Sequence, residues 1–266
     1  MSISISVAVR DVLETAEPVA KVMRARAVAR DWRRGAFLPP DGSAMPDRPA
    51  RPAAPELLPS NRMTRRGKGG SLRSRTALLH ALAHIEFIAI DLAFDMAGRF
   101  GAQFAPEFIT DWLAVGADEA MHFALIDRRL RSLGSWYGAL PAHDGLWEAA
   151  TETAGDPLAR LAIVPMVLEA RGLDVTPDMI ARADAAGDSA TAKILRRILS
   201  DEIRHVHTGT KWFESGCAAT GRSPENYWKE LLSRHFRGEL KPPFNDSARG
   251  AAGLTRDYYG ALAPAW

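Results

Sequence analysis

Residues 118–123 read Asp118-Glu119-Ala120-Met121-His122-Phe123, and residues 201–206 read Asp201-Glu202-Ile203-Arg204-His205-Val206. Each contains a Glu-x-x-His. On an α-helix, positions i and i+3 share a face, so each pair presents a carboxylate and an imidazole toward one point. Both lie inside long helical patterns. Two further glutamates sit in apolar surroundings on the preceding patterns: Glu86 between Ile85 and Phe87, and Glu169 after Val167 and Leu168. Glu86 precedes Glu119 by 33 residues, and Glu169 precedes Glu202 by 33. A shift of 83 carries Glu86, Asp118, Glu119 and His122 onto Glu169, Asp201, Glu202 and His205. This repeat predicts two helical hairpins related by a pseudo-twofold axis. Asp91, Asp95 and Met96 also map onto Asp174, Asp178 and Met179, but in dissimilar local contexts, and these matches are given no weight.

A lone Glu-x-x-His arises often on solvated faces. Two of them, each preceded at the same distance by a glutamate in an apolar helix, point to a metal centre. Four carboxylates buried without cations would cost many kcal/mol, so cations are expected among them. A Glu from each of two helices and a Glu-x-x-His from each of the other two make the ligand set of two-metal carboxylate bundles. Oxygen ligands with one imidazole per metal suit iron or manganese better than structural zinc. The predicted ligands are Glu86, Glu119, His122, Glu169, Glu202 and His205, holding two Fe ions, with Mn as the alternative. The competing reading is a metal-free core in which Arg171, Arg196, Arg197 and Arg204 pair with the carboxylates.

The patterns around these residues predict four long helices: about Leu72–Phe100, Pro106–Leu133, Pro157–Gly172 and Ser189–Glu214. Pro106 suits a first helical turn, Gly134 and Gly216 read as stops, and Asp156 reads as an N-cap. A short extra helix, Pro177–Ala186 capped by Thr176, is expected between the third and fourth. Sustained period-two alternation is absent, which predicts an all-α chain. Before the four helices, Val7 to Trp32 suits one or two more. Leu38 to Ser60 carries Pro39, Pro40, Pro46, Pro49, Pro52, Pro55 and Pro59, which favours an extended arm. Residues 1–70 hold an excess charge of +6, leaving −4 for the remainder. The expected organisation is a helix and Arg/Pro-rich arm over 1–70, a bundle over 71–216, and a C-terminal helix and tail over 217–266. The tail from Pro242 reads as an ordered wrap or a peripheral arm.

Composition narrows the function classes. The 266 residues are 47% hydrophobic with a net charge of +2, ordinary for a globular chain. The single cysteine, Cys217, excludes an intramolecular disulfide framework and a Cys-based zinc site, and fits a reducing cytoplasm. Met1 to Arg10 lacks the apolar stretch of a secretory signal. Thr76 to Ala97 is long enough to span a bilayer, but His80, His84, Glu86, Asp91 and Asp95 interrupt it. A buried helix with a polar interior task, and no membrane, is expected.

The metal motif resembles that of the ferritin-like superfamily. The finer sequence resembles a bacterial group within it, the DUF455 family. The resembling stretches are His84-Ile85-Glu86 through Asp95, Asp118 through Phe123, Val164-Pro165 through Pro177, and Asp201 through Val206. The arm ending in Leu57-Leu58-Pro59 and the tail Lys241-Pro242-Pro243-Phe244-Asn245 match as well. The resemblance implies a ferritin-like antiparallel four-helix bundle and the same six ligands. It implies no substrate. The wider superfamily includes oxygenases acting on small molecules and on modified tRNA, as well as iron stores.

The leading expectation is an O2-dependent di-iron oxidoreductase acting on an unknown small-molecule substrate with an unknown electron donor. The alternatives are an iron-handling or storage protein and an RNA-modifying hydroxylase. The arm and tail argue against a storage shell. Nucleic acid is favoured only by the basic run Arg62, Arg65, Arg66, Lys68, Arg73 and Arg75, which reads more simply as a solvated arm. A homodimer is compatible with the sequence. His80, His84 and His207 lie off the ligand positions, and the first two read as core or interface histidines. Asp118 and Asp201 read either as hydrogen-bond partners of a ligand imidazole or as exposed acids. Trp112, Phe123, Trp147, Trp212 and Phe213 read as core packing.

Overall fold

The computed structural model of the protein describes residues 3–63 and 71–262. Among them the chain is helical with no strand, and two isolated bridges, Ser4 with Leu38 and Leu57 with Ala142, are the only β-type pairings. The chain divides into two compact units, Met1–Trp147 and Glu148–Trp266.

The first unit is built from α1 (Ile5–Leu13), α2 (Pro18–Arg33), α3 (Leu72–Phe100) and α4 (Pro106–Ser132). Each start has a local cause. Ser4 caps α1 through the Ser6 amide, and Glu17 caps α2 through Val19 and Ala20 with Pro18 in the first turn. Ser71 and Ser74 form a reciprocal capping box on α3, and Pro106 opens α4. The helix α3 packs against α4 and α1, and α2 packs against α4. At the α3–α4 crossing Gly116 has no side chain because Phe94 occupies the space; a Cβ there would lie 2.5 Å from the ring. By length and composition the segment Leu72–Gln103 passes for a membrane span, yet 72% of its most apolar window is buried inside the protein. It is the core helix of this unit.

The proline-dense stretch runs as an extended strap with a single 3-10 turn, Ser60–Arg62. Its anchors are specific. Buried Met45 lies against Gly98 of α3, where a Cβ would meet its sulfur at 2.4 Å. Arg99 donates to the Pro46 carbonyl (3.0 Å), Trp147 to the Asp47 carbonyl (3.1 Å), and the Ala50 amide to the Leu13 carbonyl (2.8 Å). Arg48 pairs with Asp144, and Arg51 with Asp91. Of the basic run, Arg65, Arg66 and Lys68 lie outside the described residues; Arg73 is exposed and Arg75 half-buried.

The helix α5 (Gly145–Glu152) spans the division. The second unit contains α6 (Pro157–Ile163), a wide turn of π type over Val164–Glu169, α7 (Ala170–Ala185), α8 (Ser189–Ala219), α9 (Pro224–His235), α10 (Asp246–Ala251) and α11 (Arg256–Tyr259). Asp156 caps α6 through Leu158 and Ala159, as its position predicts. Three expectations are corrected here. The stretch Pro157–Gly172 is not one regular helix, because the wide turn interrupts it after Ile163. Thr176 and Pro177 do not begin a separate helix, because α7 runs through both. Pro177 has no N–H to give the Leu173 carbonyl four residues back. The Asn245 side-chain amide donates to that carbonyl instead, at 3.1 Å. Gly216 does not stop α8; it lies inside the helix, where a Cβ would meet Leu158 at 2.4 Å. Asp188 caps α8 through the Thr191 amide and hydroxyl. The described part of the tail is an ordered wrap on this unit: Tyr258 donates to Glu214 (2.8 Å), and its ring meets Trp228 of α9 edge-on. Trp228 in turn donates to the Ala162 carbonyl (3.2 Å) just ahead of the wide turn.

Candidate metal centre

In the first unit α3 and α4 bring three of the predicted ligands together. Glu86, Glu119 and His122 are all buried, and their ligand atoms lie within 4.8 Å of one another. Glu119 and His122 share a face of α4, as the i, i+3 spacing requires. The His122 Nδ1 is 3.2 Å from the Glu86 carboxylate on α3 and 3.3 Å from that of Glu119. Burial, then the nearby charge of Glu119, pushes the Glu86 carboxyl well above the usual carboxylate range; the His122 ring pulls the other way. A group of this kind can hold a metal ion. Two carboxylates and one imidazole nitrogen converge in a water-poor interior where like charges oppose each other, and a cation relieves both penalties. By donor chemistry the trio suits a hard or borderline cation.

The second unit repeats half of this layout. On α8 Glu202 and His205 are buried, and the His205 Nδ1 is 3.6 Å from the Glu202 carboxylate. In both units Nδ1 is therefore the ring nitrogen turned toward its glutamate. Glu169 is half-buried at the last residue of the wide turn. That turn packs on α8 at Gly209, where a Cβ would meet the Pro165 ring at 2.5 Å. The hairpin from α7 into α8 is antiparallel, joined by a short connection. One turn from Pro165 toward Glu169 thus corresponds to one turn from Gly209 back toward His205.

Asp201 is buried, not exposed, and accepts from Arg197 and Arg204 on its own helix, each at 2.5 Å. Asp118 is half-buried. The arginines considered as metal-free partners have these engagements: Arg171 with the tail carbonyls of Lys241 and Pro243 and, at 3.6 Å, with Asp174; Arg196 with Asp184; Arg197 and Arg204 with Asp201.

His80 and His84 are core histidines of the first unit. The His80 Nε2 accepts the amides of Gly138 (2.9 Å) and Leu140 (3.3 Å), and burial lowers its pKa. The ring is neutral, with its proton on Nδ1. His84 bonds the Tyr137 hydroxyl through Nδ1 (2.9 Å) and the His143 carbonyl through Nε2 (3.2 Å). Its pKa falls to about 4, chiefly through burial and then the charge of Arg51. Tyr137 stacks on these rings, with Phe87 tilted against it and Phe123 meeting it at nearly a right angle. Trp112, Phe123, Trp147, Trp212 and Phe213 are all buried as packing residues.

The residues given no weight in the sequence prove to matter. Asp91 and Asp174 are both buried, and both are locked in ion pairs: Asp91 with Lys21 and Arg51, Asp174 with Arg249. The shift of 83 also carries Arg99 onto Arg182, and each pairs with the aspartate four residues earlier, Asp95 or Asp178. This i, i+4 repetition was the available signal that the repeat extends past the glutamates.

Comparison with known proteins agrees with the reach of these features. A relative from Haemophilus influenzae, described as an uncharacterized protein, is 43% identical over 186 residues, 68% of this chain. The chain spans 65% of that relative's length. No solved structure matches. The family described as "Protein of unknown function (DUF455)" matches residues 14–260, both Glu-x-x-His motifs included, and the chain belongs to that family.

Proposed function

We propose that this protein is a ferritin-like bundle that holds two metal ions, iron by preference, and that it is an O2-dependent oxidoreductase acting on a small organic substrate. The observation that carries the reading is the buried trio Glu86, Glu119 and His122, with Glu86 held far from its ordinary ionisation. The second half of the ligand set is Glu169, Glu202 and His205. Its support is the 83-residue repeat and, within the second unit, the register that sets Glu169 one turn from Pro165 and His205 one turn from Gly209.

Two iron ions, when bound, would supply the redox chemistry with O2. The chain's own residues do the rest. On this reading Glu119 and Glu202 would each give a carboxylate to the centre. His122 and His205 each give one nitrogen. Phe87 and Phe123, each next in sequence to a ligand of the first trio, pack on Tyr137 and on each other. We also place the chain in the cytoplasm, on the ground of its single, buried thiol, Cys217.

Purification without chelators followed by metal analysis tests the centre. Close to two metals per chain is the expected result, and none would end the reading. Stopped-flow absorbance of the ferrous protein mixed with O2 tests the activity. Continued uptake of iron into a mineral core would assign storage instead.

A further inference from the structure

Asp91 and Asp174 stand five residues beyond Glu86 and Glu169 on the same helical runs. Five residues turn a helix by about 140° beyond one revolution, so each aspartate faces away from the side that carries its glutamate. Asp91 meets Lys21 of α2 and Arg51 of the proline-dense strap; both cations also lie over the Phe87 ring, at 5.4 and 5.9 Å. Asp174 is gripped by both arms of the Arg249 guanidinium, at 2.8 and 2.7 Å, and accepts the Asn245 amide at 2.9 Å. The two devices share a plan: a buried carboxylate on the glutamate-bearing helix and a cation brought from outside the hairpin, to which Arg171 of α7 adds a second beside Asp174, at 3.6 Å. The partners differ entirely, an N-terminal strap in one unit and a C-terminal helix in the other.

Buried ion pairs are a poor way to gain stability. Charges lose hydration on burial, and apolar replacements of similar volume often leave a fold as stable or more so. Their occurrence twice at the same offset from a predicted ligand calls for a directional role. We propose that Asp91 and Asp174 are positioning residues of the metal centre: each fixes the rotation of its helix, and with it the aim of Glu86 or Glu169. The strap and the C-terminal helix are then parts of the centre's frame as well as covers. This rests on the metal reading above.

The test compares the full-length wild type with two apolar variants, Lys21→Met/Arg51→Met/Asp91→Leu and Asp174→Leu/Arg249→Met. Fe(II) alone is the probe, added anaerobically. Its affinity is read by competition with a coloured chelator, and its ligand field by near-infrared magnetic circular dichroism. The expected result is an unchanged or higher thermal midpoint, Fe(II) affinity weakened about tenfold or more, and shifted or broadened bands. Arg51→Lys and Arg249→Lys keep the charge but lose the planar fork; they should shift the bands while the midpoint holds. Unchanged affinity and bands in all variants would overturn the proposal. So would apolar variants that fail to fold while the lysine variants keep wild-type bands, because the pairs would then serve the fold. A wild type that takes up no Fe(II) would end the metal reading itself.

Discussion

Asn245 gives its side-chain amide to the carbonyl of Leu173, the acceptor that Pro177 leaves unused inside α7. The same residue caps α10 through its side-chain oxygen, which accepts from the Ala248 amide. Asn245→Asp keeps the cap and removes the donor; Asn245→Ala removes both. We expect Asn245→Ala to cost about 1–2 kcal/mol in urea unfolding, a hydrogen bond plus a cap. In a Pro177→Ala background the helix satisfies Leu173 itself, so the cost of Asn245→Asp should shrink. Equal costs in the two backgrounds would show that the bond does not replace the missing helical one.

The buried trio predicts opposite effects on metal-free and metal-bound protein. Glu119→Gln removes a charge that opposes Glu86 at short range. The metal-free variant should be more stable than metal-free wild type by roughly 1 kcal/mol. Wild type should in turn gain about 2.7 kcal/mol from Fe(II) at a hundred times its Kd, and the variant much less. Thermal scans with and without Fe(II) measure both. A variant that gains as much as wild type would remove Glu119 from the ligand set.

His122→Ala and His205→Ala should each slow the reaction of the ferrous protein with O2 by about tenfold or more, with far-ultraviolet circular dichroism unchanged. On the proposed ligand set each removes the one imidazole of its Glu-x-x-His. A loss confined to one variant would show that only one half takes part.

The ring of His80 predicts a pH dependence. Its nitrogen accepts two backbone amides, which requires the neutral form, and its folded pKa lies below the unfolded value near 6.5. The unfolded chain therefore binds the proton first as pH falls. The stability contributed by this site is fully present above that value and is lost as pH falls from it through the folded pKa. His80→Gln keeps an acceptor that does not titrate. Its stability deficit should be largest near pH 7.5 and should narrow toward pH 5. A constant deficit across that range would show that the ring's protonation is not felt.

Much of this architecture is legible in the sequence because helix signals are local. Pro106 and Asp156 mark starts that the structure reproduces, and α3 runs from Leu72 to Phe100 as its pattern indicates. The Glu-x-x-His spacing places Glu119 with His122 and Glu202 with His205 by geometry alone. What the sequence hides depends on partners far along the chain. Pro177 reads as a break because nothing nearby announces that Asn245 will answer for it. Gly216 reads as a stop because Leu158, which fills its missing Cβ, lies 58 residues away. Asp91 and Asp174 sit in unlike local contexts for the same reason: their cations arrive from opposite ends of the chain.

The strap's anchors set an order on synthesis. Lys21 and Arg51 leave the ribosome before Asp91, and Asp47 and Arg48 before Trp147 and Asp144. At about 5–20 residues per second, the forty residues from Arg51 to Asp91 amount to a few seconds in which the nascent strap can meet α1 but Arg51 has no Asp91 to pair with. Its seven prolines keep it extended meanwhile and without helix to unmake. Once residue 147 emerges, every anchor of the first unit is present while the second unit is still being translated. The N-terminal half of the chain can thus close before the C-terminal half exists.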